Sequence, residues 1–138
     1  MSAIIVLADD EPDLRAVFGE VLRRDGHTVW DACDGREALA LVNEHQPDLL
    51  VLDLWMPVVN GFEVLDQLRH APIASTLKVV MLSNLGDSDS RLEGFSAGVV
   101  DYWVKGLSLN DFLLRVRQLL ASEPMERDIS GVLEMTEE

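Results

Sequence analysis

Apolar positions along the chain fall into two alternating regimes. Short continuous runs rich in branched residues, 2–8 (SAIIVLA), 48–57 (DLLVLDLWMP), 77–82 (LKVVML) and 99–104 (VVDYWV), have the pattern of buried parallel strands. The stretch 27–32 (HTVWDA) alternates and reads as an edge strand. Between them, apolar residues recur every three or four positions, as helices require. The first helix begins at Pro12, offers Leu14, Val17, Phe18, Val21 and Leu22 to a core, and stops near Gly26. The second covers 35–45 with Ala38, Leu39 and Val42 inward, and Pro47 closes it. A third follows the turn residues Asn60 and Gly61 and presents Phe62, Val64, Leu65 and Leu68. A polar loop over 84–90, expected to be mobile, leads to a fourth helix over about 89–97, capped by Gly98. Ser108 caps the last, whose inner face is Leu109, Phe112, Leu113, Val116, Leu119 and Leu120.

Strand and helix alternate five times, which predicts a single doubly wound α/β domain: a five-stranded parallel sheet with helices on both faces and right-handed crossovers. The domain is expected to span 1–121. Residues 122–138 differ: Pro124 breaks the helix, and six acids stand against Arg127 alone, so this segment reads as an acidic tail or linker.

Composition narrows the function. At 138 residues and 48% hydrophobic, the chain suffices for one self-supporting core, and no apolar run approaches the ~20 residues of a membrane span. No signal-peptide pattern is present, which points to the cytoplasm. Cys33 is alone, so no internal disulfide or thiolate cage is expected; its expected role is packing at a strand end. With 25 acids, 11 bases and a formal charge of −14, the chain should repel nucleic acid and anionic membranes. His27, His45 and His70 are scattered and read as surface, and Trp30 and Trp55 as packing or rim residues.

The chemistry gathers at the strand ends. The first strand runs into Asp9 and Asp10, the third into Asp53, the fourth into Ser83 and the fifth into Lys105. In a parallel sheet these tips share one edge, where ligands of open α/β sheets bind. Carboxylates, a hydroxyl and an ammonium therefore meet in one crevice. Singly each has a plainer role, since Asp9 and Asp10 could cap a helix, Ser83 could close a turn, Tyr102 could pack and Lys105 could be solvated.

The motifs LADDEP, LDLWMP followed by Asn60 and Gly61, MLSN and DYWVKG resemble, in this order and spacing, the receiver domain of two-component response regulators of the chemotaxis-regulator type. The resemblance covers about residues 3–121. It implies a flavodoxin-like sheet of order 2-1-3-4-5. It also implies that Asp53 is the phosphoacceptor, that Asp10, Asp53 and Asp9 with the Trp55 backbone carbonyl ligate Mg2+, and that Ser83 and Lys105 contact the phosphoryl group. Ser83 and Tyr102 would form the switch, with Trp103 facing the other way, and the responding surface would be the fourth helix, fifth strand and last helix. A sensor histidine kinase or phosphotransfer protein would donate, and a downstream protein target or C-terminal output domain would receive the signal. The chain would catalyse only its own phosphorylation and dephosphorylation.

Three positions depart from the family pattern. Lys105 is followed by Gly106 where proline is usual, often with a cis bond; a cis bond to a non-proline residue costs ~3 kcal/mol, which opens the way to a trans loop and a differently seated lysine. Asn84 replaces a very small residue. Trp55 and Leu85 place bulky apolar groups at the site mouth, which predicts slower entry of water and a longer-lived phosphoryl group. Two other functions remain in view: a phosphate-independent module of the same fold, and a Mg2+-dependent phosphohydrolase with an Asp nucleophile. The second usually needs a further acid where Trp55 stands.

Overall fold

The computed structural model describes residues 2–84 and 99–122. Its elements are β1(Ile4–Ala8), α1(Pro12–Arg24), β2(Thr28–Ala32), α2(Gly35–His45), β3(Leu49–Asp53), α3(Gly61–Leu68), a 3-10 turn Pro72–Ser75, β4(Lys78–Ser83), β5(Asp101–Val104) and α4(Leu109–Ala121). The loop and helix expected over 85–97, the Gly98 cap, Leu85 and the tail from 123 onward lie outside the described residues. All five strands pair in parallel in the order β2-β1-β3-β4-β5, the doubly wound, flavodoxin-like sheet.

Strand alternation divides the core into two layers. Val6, Leu50, Leu52, Met81 and Tyr102 face α2 and α3, where Ala38, Val42, Val64, Leu65 and Leu68 cover them. Ile5, Leu7, Val51, Val80, Leu82 and Trp103 face α1 and α4, meeting Phe18, Leu22, Phe112 and Val116. Tyr102 and Trp103 thus point to opposite faces. β3 is buried along its whole length, as a central strand clad on both sides must be. Each buried leucine there contributes roughly 2 kcal/mol of transfer free energy.

Side-chain caps set most helix starts. Asp34 accepts from the Glu37 amide, Asn60 and Glu63 form a reciprocal capping box, and Ser108 accepts from the Asp111 amide. α1 differs. Pro12 opens it, and Glu11 stands at the capping position without making a side-chain cap bond. Gly35 is required by close approach, because a Cβ there would lie 1.9 Å from the Val59 carbonyl oxygen. That contact locks the β2–α2 turn against the loop following β3.

Several side chains lie elsewhere than the pattern predicts. Val17 is 44% exposed and Leu109 40%, because α1 meets the sheet through Phe18 and Leu22, and Leu109 is the first residue of α4. His27 is buried, not surface: its Nδ1 accepts from the Ala3 amide at 3.1 Å, which ties the turn before β2 to the start of β1. Cys33 is exposed rather than packed, and its thiol donates to Glu37 Oε2 at 3.4 Å. Trp30 stacks on His45 with ring centroids 3.9 Å apart, and Trp55, more than half exposed, is a rim residue edge-on to Phe62. Lys78 is buried at the start of β4, and its ammonium donates to the carbonyls of Leu119 and Ser122 and to the Ser122 hydroxyl. It thereby satisfies the Ser122 carbonyl and adds a donor at the Leu119 carbonyl, which also accepts from the Ser122 amide and hydroxyl. Among the described residues, no helix is long and apolar enough to cross a membrane.

Candidate functional site

The carboxyl edge of the sheet brings the predicted tip residues together. Asp9, Asp53 and Ser83 are buried and Asp10 is exposed. Backbone bonds zip the tips to one another: the Asp9 amide donates to the Ala32 carbonyl at 3.0 Å, the Leu54 amide to Leu82 at 3.0 Å, and the Lys105 amide to Ser83 at 2.7 Å. The tips are therefore as rigid as the sheet that carries them.

Lys105 is the centre of the cluster. Its ammonium lies 3.1 Å from Asp53 Oδ2, 3.2 Å from Asp9 Oδ2 and 3.0 Å from Glu11 Oε1, and its side chain is 8% exposed. The Asp9 and Asp53 carboxylates are fixed by backbone amides as well: Glu11 donates to Asp9 Oδ1 at 2.8 Å, and Trp55 to Asp53 Oδ1 at 3.3 Å. The Arg15 guanidinium donates to the Asp9 carbonyl at 2.7 Å. Ser83 Oγ reaches the Asn84 carbonyl oxygen at 3.4 Å. Tyr102 is buried on β5, in the core layer that also holds residues of α2 and α3.

The electrostatics are those of a crowded acid site. Burial, followed by the neighbouring Asp9 charge, pushes the Asp53 carboxyl up to about 7 despite the opposing pull of Lys105. Burial also raises Asp9, against the Glu11 amide and Lys105. Burial by itself would lower Lys105, but the bond to Glu11 and the charges of Asp53 and Asp9 outweigh it and hold the ammonium well above the ordinary lysine range. Asp9, Asp10 and Asp53 each direct one oxygen so that the three lie within 4.8 Å of one another. Asp9 Oδ2 and Asp53 Oδ2 are buried and face the Lys105 ammonium without a well-directed hydrogen bond. Converging, under-satisfied carboxylate oxygens are the donor set a hard divalent cation selects.

The predicted Asp9, Asp10, Asp53, Ser83 and Lys105 thus meet at one edge. The 105–106 peptide is trans, and Gly106 adopts φ +112°, a conformation open to glycine and strained for other residues. Glu11 and Arg15 were not among the predicted site residues. Glu11 stood within the LADDEP motif but carried only the signature of an acid at a helix start.

A model of the family described as "Response regulator receiver domain" matches residues 5–117. Among curated proteins, the chain is similar to the DNA-binding dual master transcriptional regulator RpaA of Synechocystis, 37% identical over 116 residues that cover 84% of this chain and 48% of RpaA. It is similar also to the transcriptional regulatory protein TcrA of Mycobacterium tuberculosis, at 35% over 123 residues, 89% of this chain and 48% of TcrA. The chain thus spans about half the length of these relatives. Among solved structures it resembles the receiver domain of the Francisella response regulator 1452 (TM-score 0.76, 32% identity, 85% of this chain and 95% of that one). It likewise resembles the chemotaxis response regulator CheY4 of Vibrio cholerae (TM-score 0.80, 27% identity, 86% and 99%). Fold, edge cluster and relatives agree: the chain belongs to the response regulator receiver family of two-component systems.

Proposed function

We propose that the chain is a phosphorylatable receiver whose Asp53 accepts a phosphoryl group from a histidine kinase or phosphotransfer protein. The observation that carries this reading is the ammonium of Lys105 seated 3.1 Å from Asp53 Oδ2 beside two further carboxylates on the ligand-binding edge of the sheet. A carboxylate oxygen of Asp53 attacks phosphorus, the bond from phosphorus to the donor's imidazole nitrogen breaks, and an acyl phosphate forms at Asp53. The imidazole leaves with the bond's electron pair and takes a proton from solvent. Asp10, Asp53 and Asp9, with the Trp55 carbonyl, would hold Mg2+, whose charge when bound offsets repulsion between carboxylate and phosphodonor.

Lys105 neutralises charge on the transferring oxygens, and the Ser83 hydroxyl donates to the phosphoryl group. The inward move of Ser83 leaves room for Tyr102 to shift. β5, α4 and the helix predicted over 89–97 then present a changed surface to a partner. The curated relatives are named transcriptional regulators and are about twice as long, which supports an output segment following the receiver, with residues 122–138 as the linker. A charge of −14 supports a signal that leaves through protein contact rather than through DNA bound by this chain, and a cytoplasmic site of action accords with a kinase donor. Turnover is confined to the chain's own acyl phosphate, since Trp55 occupies the position where a phosphohydrolase would need an acid.

The test is phosphotransfer from an autophosphorylated histidine kinase domain. Label should pass to the wild-type chain with Mg2+ and should fail to reach the Asp53→Asn variant. Equal labelling of both would overturn the assignment.

A further inference from the structure

Resting on the reading of Asp53 as phosphoacceptor, we propose that Glu11 is a positioning residue for Lys105, the tether that holds the ammonium over the acceptor while its other partners are engaged elsewhere. Lys105 has three ammonium donors and three carboxylate neighbours, and the contact with Glu11 Oε1, at 3.0 Å, is the shortest. The three partners differ in what the reaction demands of them. Asp53 becomes the acyl phosphate, and Asp9 belongs to the cation-binding set. Glu11 belongs to neither, so its carboxylate can stay on the lysine throughout the cycle.

The chain around Lys105 makes such a tether necessary. Gly106 follows it at φ +112°, and no atom would lie within 4 Å of a Cβ at that position. Among the described residues, the turn beyond is closed by a long bond from the Leu107 amide to the Val104 carbonyl, at 3.4 Å. Nothing in that loop stiffens the lysine in the way a proline ring would. Glu11, in contrast, is well fixed. Its amide donates to Asp9 Oδ1 at 2.8 Å, and Pro12 sets the backbone directly after it. It occupies the capping position of α1 yet makes no side-chain cap bond, the job an acid in that place commonly does. Its carboxylate is committed instead to a residue 94 positions away. The same contact is the largest influence raising Lys105 against burial.

The experiment measures the rate of Asp53 phosphorylation by acetyl phosphate at saturating Mg2+ in the wild type, Glu11→Ala, Glu11→Gln, Lys105→Met, and Lys105→Met combined with Glu11→Ala. Glu11→Ala should slow labelling about fivefold, the scale of one partly exposed ion pair, and Glu11→Gln, whose amide oxygen still accepts, should recover part of the loss. In the Lys105→Met background the loss of Glu11 should change nothing further, because the tether has nothing left to hold. A Glu11→Ala rate at or above wild type overturns the tether, and so does an equal loss in the Lys105→Met background, which would place the effect on the cation or the fold. A wild-type chain that takes no label from acetyl phosphate or from histidine kinases removes the acceptor reading itself, and the tether with it.

Discussion

Lys105 Nζ lies 3.1 Å from Asp53 Oδ2 although their strands are not neighbours: β4 runs between β3 and β5. The contact passes over the tip of β4, where Ser83 ends the strand and accepts the Lys105 amide. The Asp53 carboxylate, the end of β4 at Ser83 and the Lys105 ammonium are thereby held together at one edge of the sheet.

The first expectation concerns pH in metal-free protein. Asp53 sits at about 7 in the fold, raised chiefly by burial and then by Asp9, against an ordinary value near 3.9. The folded state thus holds this proton more tightly than the unfolded chain. The site's contribution to stability is greatest below pH ~4, declines as pH rises to ~7, and is level above that. A bound divalent cation favours the ionised carboxylate and opposes the decline. Urea unfolding in chelator should give a midpoint that falls between pH 5 and pH 8, Asp53→Asn should flatten the fall, and Mg2+ should stabilise more at pH 8 than at pH 5.5.

The rim of the site carries a second expectation. Trp55 is 53% exposed, its amide donates to Asp53 Oδ1, and its ring leans edge-on to Phe62. Trp55→Ala removes bulk from the mouth while leaving that amide, so water should reach the acyl phosphate more easily and its lifetime should shorten by about threefold. Decay of the phosphorylated protein after donor removal measures it; an unchanged lifetime would show that the ring does not guard the site.

A third expectation lies at the opposite edge. Lys78→Met removes the ammonium that meets Leu119, Ser122 and the Ser122 hydroxyl, and takes from the Ser122 carbonyl its donor. Chemical denaturation should show a loss of about 1–3 kcal/mol, with Mg2+ affinity unchanged.

The loop after β3 supplies a fourth. Val58 has φ +69°, a conformation that costs a β-branched residue roughly 1–3 kcal/mol, and the residue is 65% exposed and buries little. Val58→Gly should raise the unfolding midpoint. A fall would mean that the valine makes contacts worth more than the backbone strain.

Fold and tip residues were legible because each rests on local pattern. Continuous apolar runs such as Leu49–Asp53 declare strands buried on both faces, and a parallel sheet sends every strand end to one edge. What depended on distant partners was not legible. The local pattern assigns His27 to the surface because nothing nearby in sequence announces that it accepts from Ala3, 24 positions away. Lys78 sat inside an apolar strand with its partners 41 and 44 positions on. Glu11 looked like a helix-start acid, and only the approach of Lys105 gives it another use. Val17 and Leu109 fit the helical period but fall at the edge of the buried stripe, where periodicity cannot separate half-covered from covered positions.

The most direct test of the central claim is intact-mass spectrometry after incubation with acetyl phosphate and Mg2+, with Asp53→Asn and a chelated sample alongside. Phosphorylation at Asp53 should give one phosphoryl group on the wild type, absent from both controls. An adduct that persists in Asp53→Asn, or a wild type that stays unmodified by both acetyl phosphate and histidine kinases, would contradict it.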